Sequence, residues 1–206
     1  RQRMAGRRVF SDICLGGLTF FSLLLMWFAV SANPAGAGGG KALEGRKTIR
    51  VVDASGSALE IGHVTFTPTA EGGAAKIAVV LDGPDFKDEF LSMRPFRCIG
   101  RPKQMWCHLA YPYPIVDQVS MDDLRDLEYR LLFLWRPYDK VGVDAWNGLY
   151  FKLEPHADGS IVGRLNEADF NVLAVPPGEG VMRPVTHKDL TEAQPGQHAF
   201  DRIEIR

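Results

Sequence analysis

Residues 149–165 read LYFKLEPHADGSIVGRL, and apolar and polar side chains alternate along them on both sides of one turn. Leu149, Phe151 and Leu153 fall on the same side of an extended chain. Because successive side chains of a strand point to opposite faces, this period of two predicts half-buried strands. The Asp-Gly pair within residues 155–159 is a marker of hairpin turns. The stretch therefore predicts an antiparallel β-hairpin.

The same two-residue period recurs along the chain. Residues 64–81 alternate around a glycine-containing turn at 69–73, which predicts a second hairpin. Residues 128–136 carry apolar side chains on both faces, which predicts a strand that is partly covered on both sides. Residues 170–174 continue the alternation, and residues 202–206 predict a short strand at the end of the chain.

Helix signals are few. Ser120, with an acidic residue three positions on, resembles a capping pattern and predicts one or two helical turns over residues 120–127. A second short turn is predicted at residues 187–193. The chain is thus predicted to be mainly β: a single antiparallel β-barrel or a sandwich of about eight or nine strands with one or two short helices. The barrel is favoured because it leaves no exposed strand edge.

The first part of the chain differs in composition from the rest. A basic start with four arginines precedes residues 13–30, which carry no charge. Small-x-small sites then end at residues 32 and 37, so we predict a signal peptide over residues 1–32 with cleavage near 32 or 37. The alternative is an uncleaved membrane anchor, because the 18 uncharged residues approach the roughly 20 that span a bilayer. Either way the domain is predicted to be exported, periplasmic or secreted.

Two further segments follow the predicted signal. Residues 33–47 are rich in glycine and alanine, which predicts a flexible linker, and residues 48–206 are predicted to form one β-rich domain. Beyond residue 32 there are 20 Lys and Arg against 24 Asp and Glu, a net charge of −4. No basic cluster is present, so a nucleic-acid partner is not expected. A membrane would be a partner only through an uncleaved N-terminal segment.

This chain is similar to small calycin-like barrels in its predicted export, in the up-and-down order of its predicted strands and in the aromatic residues scattered through them. The resemblance implies an up-and-down closed barrel and a lipocalin-like way of holding a ligand. The Gly-x-Trp signature that lipocalins carry near their first strand is missing from this chain.

Two cysteines, Cys98 and Cys107, remain after the predicted signal. The turn at residues 100–103 would let them face each other across a hairpin, and an oxidising compartment favours a disulfide over two free thiols. A metal site is not expected, because Cys107 and His108 are adjacent on a predicted strand and point to opposite faces. No cofactor is predicted, and no established catalytic motif occurs.

Large aromatic rings are concentrated in the central third of the chain. Rings with polar tips suit a ligand pocket or a partner surface, although core packing is the alternative for any one ring. The segment Tyr-Pro-Tyr-Pro at residues 111–114 is stiff because proline fixes its own φ and restrains its predecessor. The candidate ligand-binding residues are Trp106, His108, Tyr111, Tyr113, Trp135 and Trp146.

These features predict an exported, non-enzymatic β domain that binds a small apolar ligand or a partner protein of the cell envelope. A first alternative is a periplasmic hydrolase that acts on envelope glycans or esters through carboxylates. Its candidate catalytic residues are Asp122, Asp126 and Glu128, near the predicted helix. A solvated acidic face would also explain them. A second alternative is a structural assembly factor of the envelope.

Overall fold

Twelve antiparallel strands form one sheet in a computed structural model, which describes residues 43–70 and 72–206. The strands are β1 (Gly45–Val52), β2 (Ala58–Pro68), β3 (Ala74–Val80), β4 (Phe86–Leu91), β5 (Arg94–Gly100), β6 (Gln104–His108), β7 (Gln118–Ser120), β8 (Phe133–Pro137), β9 (Gly148–Pro155), β10 (Ile161–Ala168), β11 (Thr191–Glu192) and β12 (Arg202–Ile205). Within the described residues, the one α-helix is α1 (Arg125–Tyr129), and short 3-10 turns cover Asn171–Ala174 and His187–Asp189. The predicted mainly β class is confirmed, with more strands than the eight or nine expected.

The order of the strands shows that the sheet is open. It runs β4-β5-β6-β8-β9-β10-β12-β1-β2-β3-β7, and β11 adds to β10. The end strands β4 and β7 do not pair with each other within the described part of the chain. A hydrogen-bonded closed barrel is therefore not confirmed.

Most of the sheet packs on one apolar core. Ile49 of β1, Phe66 of β2, Phe151 of β9 and Ile203 of β12 belong to one buried cluster, together with Leu127 of α1. Strands far apart in the sheet order thus bury side chains against one another. This packing is possible only because the sheet curls around its inner face.

A second core covers the opposite face of β8 and β9. Leu134 and Tyr150, on these two strands, pack there with Tyr129, Phe170 and Val185. The residues from α1 and from the loops beyond β10 cover a surface that would otherwise be solvated. The strand β8 is thus covered on both faces, as the sequence predicts for a strand in this region.

The two predicted hairpins are confirmed by their pairing. Val64 lies opposite Val79 in β2 and β3, and Phe151 lies opposite Leu165 in β9 and β10. The predicted C-terminal strand is present as β12. These pairings depend on alternation and turn residues that are neighbours in the sequence.

Other element boundaries differ from the prediction. Residues 125–129 are helical, so the strand predicted from residue 128 begins only at Phe133. The reason is tertiary: the Glu128 side chain is turned inward and bonds to β9, which overrides the local alternation. Residues 171–174 form a 3-10 turn instead of a strand. The predicted turn near 187 is present, where the side chains of Thr186 and Asp189 form a capping box.

The predicted disulfide is confirmed. Cys98 and Cys107 are directly opposite in β5 and β6 and are joined at an S–S distance of 2.07 Å. Because the two sulfurs are bonded to each other, the alternative of two free thiols is wrong. Disulfides persist in oxidising compartments, which agrees with an exported domain.

The predicted signal peptide and residues 33–42 of the predicted linker lie outside the described residues. Residues 45–47, which the composition assigns to the linker, are part of β1. Among the described residues, none of the helices has the length and apolar character needed to cross a membrane.

Candidate functional site

A cavity of about 590 Å³ lies where three loops meet at one end of the sheet. We call it the end pocket. Its walls come from Asp53 and residues 57–59 at the start of β2, residues 101–104 at the start of β6, and residues 196–200 before β12, and Asp85 completes it. Loops carried by different strands thus converge on one space.

Gln104 is the buried polar centre of the end pocket. Its Oε1 accepts a hydrogen bond from Trp106 Nε1 at 2.6 Å and another from the amide of Ala199 at 3.2 Å. Both partners can only donate, so they fix which end of the amide points inward. The side chain ties β6 to the loop before β12 and makes this wall rigid.

His198 lies in the same wall, and only 2% of its side chain is exposed. Its Nε2 is 2.9 Å from Glu167 Oε1, and its Nδ1 is 3.4 Å from Gln104 Oε1. Both partners are acceptor oxygens, since Gln104 Oε1 is already fixed as an acceptor. These contacts tie the imidazole to β10 through Glu167 and to β6 through Gln104.

The acidic and basic side chains of the end pocket differ in whether they already have a bonding partner. Arg101 donates to Asp85 at 3.0 Å and lies over the ring of Phe200, 5.2 Å from its centroid. Asp53 is occupied within its own turn, where hydrogen bonds from Ser55 lower its pKa. Lys103 forms no ion pair with any described residue. The acidic groups Asp53 and Asp85 are thus already bonded, whereas Lys103 has no charged partner among the described residues.

Two of the predicted aromatic residues lie behind the end pocket. Trp106 is fully buried and packs edge-on against Phe200, with ring centroids 5.1 Å apart. Trp135 packs against His198 at 5.2 Å. These rings support the pocket wall from the core side and do not line the cavity themselves.

The other predicted aromatic and imidazole residues are dispersed. Tyr111 and Tyr113 belong to the second core, where the Tyr111 hydroxyl donates to the carbonyl of Met182. His108 bonds to the carbonyl of Arg130, and burial lowers its pKa. Trp146 is 67% exposed. The structure therefore does not bring all six predicted residues together in one pocket.

The three candidate carboxylates lie in different environments. Asp122 is exposed, whereas Asp126 is buried and accepts from Arg183 at 2.8 Å and from the amide of Gln118 at 3.1 Å. Glu128 is 1% exposed on its side chain. The contacts of these two buried carboxylates hold α1 against neighbouring segments of the chain.

Glu128 uses both of its oxygens. Oε1 accepts from the amide of Leu153 at 2.7 Å, and Oε2 accepts from the Tyr150 hydroxyl at 2.5 Å. His187 Nε2 is 2.7 Å from the same Oε2. Burial and the charge of Glu128 raise the pKa of Tyr150, which keeps the phenol protonated as a donor.

A second cavity of about 640 Å³ lies beside α1, and we call it the helix cleft. It is lined by residues 121–125, by Glu128, by Leu153 and Pro155 of β9, and by residues 186–188. His187 and the buried Glu128 meet at the wall of this cavity. Within the described residues, no group of three or more His, Cys, Asp or Glu side chains is placed to hold a metal ion.

Sequence reasoning missed Gln104, His187 and His198. Each is a single polar residue in a loop or at a strand end, without a motif around it. Gln104 and His198 are 94 positions apart, so only the folded chain shows that they meet.

A comparison with protein-family models, with curated proteins and with solved structures finds no match for this chain.

Proposed function

We propose that this domain is a binding protein whose end pocket holds a small molecule with an apolar body and an anionic group. The observation that supports the proposal most is that the acidic groups lining the pocket are already bonded, whereas a lysine lining it is not paired with a described acidic group. Lys103 forms no ion pair with any described residue, whereas Asp53 is already hydrogen-bonded within its own turn and Asp85 is paired with Arg101. Binding sites of this kind combine an apolar lining with a few converging polar groups.

The apolar part of the ligand would lie against Phe200 and Leu59, which line the same cavity. A volume of about 590 Å³ suits a small organic molecule. The wall is preorganised, because Gln104 and the cation–π contact of Arg101 with Phe200 fix its side chains before a ligand arrives. Preorganisation reduces the ordering cost of binding.

The proposal also includes a calycin-like arrangement of the sheet and a periplasmic or secreted location for the domain. The position of the end pocket at one end of the curled sheet supports a calycin-like arrangement, in which ligands enter the mouth of a barrel. The disulfide and the predicted signal peptide support a periplasmic or secreted domain that meets its ligand in the envelope or outside the cell. A partner protein of the envelope, or a role in assembly, would leave the end pocket without a small ligand.

Anilinonaphthalene sulfonate, which has an apolar ring system and a sulfonate, is a suitable first probe. Its fluorescence should rise on titration of the full chain, and octanoate should displace it more strongly than octanol does. Lys103→Gln should weaken binding about tenfold, as expected for the loss of one charge-assisted hydrogen bond. The matched control is Lys76→Gln on β3, which is exposed and outside the pocket.

A steric test is independent of charge. Ala58→Trp would place a large ring at a residue that lines the end pocket, whereas Ala78→Trp places the same ring on an exposed position of β3. Only the first substitution should abolish probe binding. Equal binding by the two variants would contradict the proposed site. Native mass spectrometry of the full chain, purified without denaturation, would then show whether any small molecule co-purifies.

A further inference from the structure

We propose that His187 acts as the general base in the hydrolysis of carboxylic esters by water in the helix cleft, with Glu128 as its positioning residue. This activity is separate from ligand binding at the end pocket. The two cavities share no lining residue.

The contacts of Glu128 fix its orientation. Its carboxylate accepts hydrogen bonds from Leu153, Tyr150 and His187 at 2.5–2.7 Å. Two of these donors, the Leu153 amide and the Tyr150 hydroxyl, hold the carboxylate independently of His187. The bond to the Leu153 amide anchors one oxygen to the backbone of β9. The other oxygen is thereby aimed at the ring of His187. A buried carboxylate that orients an imidazole in this way is the second member of many catalytic histidine pairs.

The same bond determines the tautomer of His187. Nε2 faces a carboxylate that can only accept, so this nitrogen carries the proton. In the neutral ring Nδ1 is then the basic nitrogen, and no described residue forms a hydrogen bond with it. The side chain is 36% exposed and lines the helix cleft. A water molecule can therefore reach a base whose other side is held by Glu128.

The backbone around His187 is also fixed. Thr186 accepts from the amide of Lys188, and the side chain of Asp189 bonds back to Thr186. Just before this turn, Val185 is bonded to the hydroxyl of Tyr129. The turn at residues 186–189 and the second core thus hold the imidazole in a defined position. Proton transfer requires such a defined position.

The lining of the cleft indicates the substrate class. Met121, Leu124 and Leu153 form an apolar side that suits an acyl chain, whereas the charge of Arg125 is balanced by its ion pair with Asp123. Glycoside hydrolysis would need a carboxyl group free to approach the sugar, whereas both oxygens of Glu128 are occupied in a buried position. An imidazole base beside an apolar wall instead suits an ester.

Water is the nucleophile in this scheme. The hydroxyl of Thr186, the only hydroxyl side chain among the described residues lining the cleft, already donates to Asp189. As the water oxygen bonds to the acyl carbon, one of its protons moves to His187 Nδ1 and the carbonyl π electrons move to the carbonyl oxygen. The C–O bond to the alcohol then breaks, and the leaving oxygen takes the proton back from Nδ1. The products are a carboxylic acid and an alcohol, and no redox partner is required.

The test uses the full chain and p-nitrophenyl butyrate, with release of p-nitrophenol followed by absorbance. His187→Ala should lower kcat by about 100-fold, which is typical for the loss of a general base. The control is His156→Ala in the turn after β9, which is exposed and should keep the full rate. Because His187 is partly exposed, its variant should fold, and circular dichroism would verify this.

Two further measurements separate chemistry from structure. After the hydrolysis caused by imidazole without protein is subtracted, added imidazole should restore activity to His187→Ala, because it can occupy the space of the missing ring. It should leave the corrected rate of the His156 variant unchanged. Glu128→Gln should lower kcat and leave KM unchanged, since it misorients the base without altering the apolar walls. The proposal fails if the full chain hydrolyses the ester no faster than buffer, if His187→Ala keeps the rate, or if imidazole restores nothing.

Discussion

The hydroxyl of Tyr129 donates to the carbonyl of Val185 at 2.9 Å and accepts from the amide of the same residue at 2.7 Å. One side chain of α1 thus satisfies both backbone groups of a residue 56 positions further along the chain. With Arg183 bonded to Asp126 and His187 bonded to Glu128, these contacts fasten the segment after the 3-10 turn at 171–174 over the second core. Polar bonds from one short helix therefore position the wall of the helix cleft.

Tyr129→Phe should destabilise the domain by about 1–3 kcal/mol, because it leaves the amide and the carbonyl of Val185 without their partner in a buried place. Equilibrium unfolding in urea, followed by tryptophan fluorescence, would measure the loss. Tyr138→Phe removes a hydroxyl from a half-exposed residue and should change the free energy of unfolding by less than about 0.5 kcal/mol. Equal effects of the two substitutions would show that the Val185 contact contributes nothing.

Replacing the disulfide should also reduce stability. The bond joins residues nine positions apart, so a double substitution of Cys98 and Cys107 by alanine should cost about 2–3 kcal/mol through the larger entropy of the unfolded chain. Alanine is suitable because both sulfurs are buried in a small apolar cluster. Urea unfolding of the oxidised protein and the double variant measures the difference. Unchanged stability would mean that the β5–β6 pairing suffices without the bond.

Acid should destabilise the domain through His108. Burial lowers the pKa of this imidazole below its ordinary value of 6.5, so the folded protein disfavours the charged form. The unfolded chain therefore binds the proton first, and stability present above pH 6.5 is lost as the pH falls through and below that value. His108→Gln should flatten the fall in unfolding free energy between about pH 7.5 and pH 5.5. His156→Gln, which changes an exposed imidazole, should leave the slope as it is.

The sequence predicts those parts of the fold that depend on near neighbours. The β9–β10 hairpin follows from alternation and an Asp-Gly turn, and the Cys98–Cys107 bond follows from two cysteines on either side of a short turn. Glu128 shows the limit, because its strand-like alternation is overridden by bonds to Tyr150 and Leu153. Alternation reports which side of a strand is apolar. It does not report which polar group finds a buried partner across the fold.

The same limit applies to the candidate sites. Aromatic residues are conspicuous in the sequence, but most of them are used for packing, as Trp106 illustrates. The charged and polar groups of the end pocket come from segments that are far apart in the sequence. Gln104 and His198 alone are 94 positions apart, and no local pattern joins them. Sequence periodicity can locate the core, whereas the pockets are defined by how loop ends converge.

Gly163 in β10 tests how tightly the main core closes over the centre of the sheet. A Cβ atom at this position would lie 2.6 Å from Leu153 Cδ2 and 2.7 Å from Ile203 Cγ2, which are side chains from the two strands that flank β10. Gly163→Ala should therefore destabilise the domain by about 1–3 kcal/mol, as overpacking of a closed core does. Gly178→Ala is the matched control, since nothing lies within 4 Å of its Cβ position, and its effect should stay within about 0.5 kcal/mol. Thermal and urea unfolding would measure both variants, and a neutral Gly163→Ala would mean that β9 and β12 can move apart at little cost.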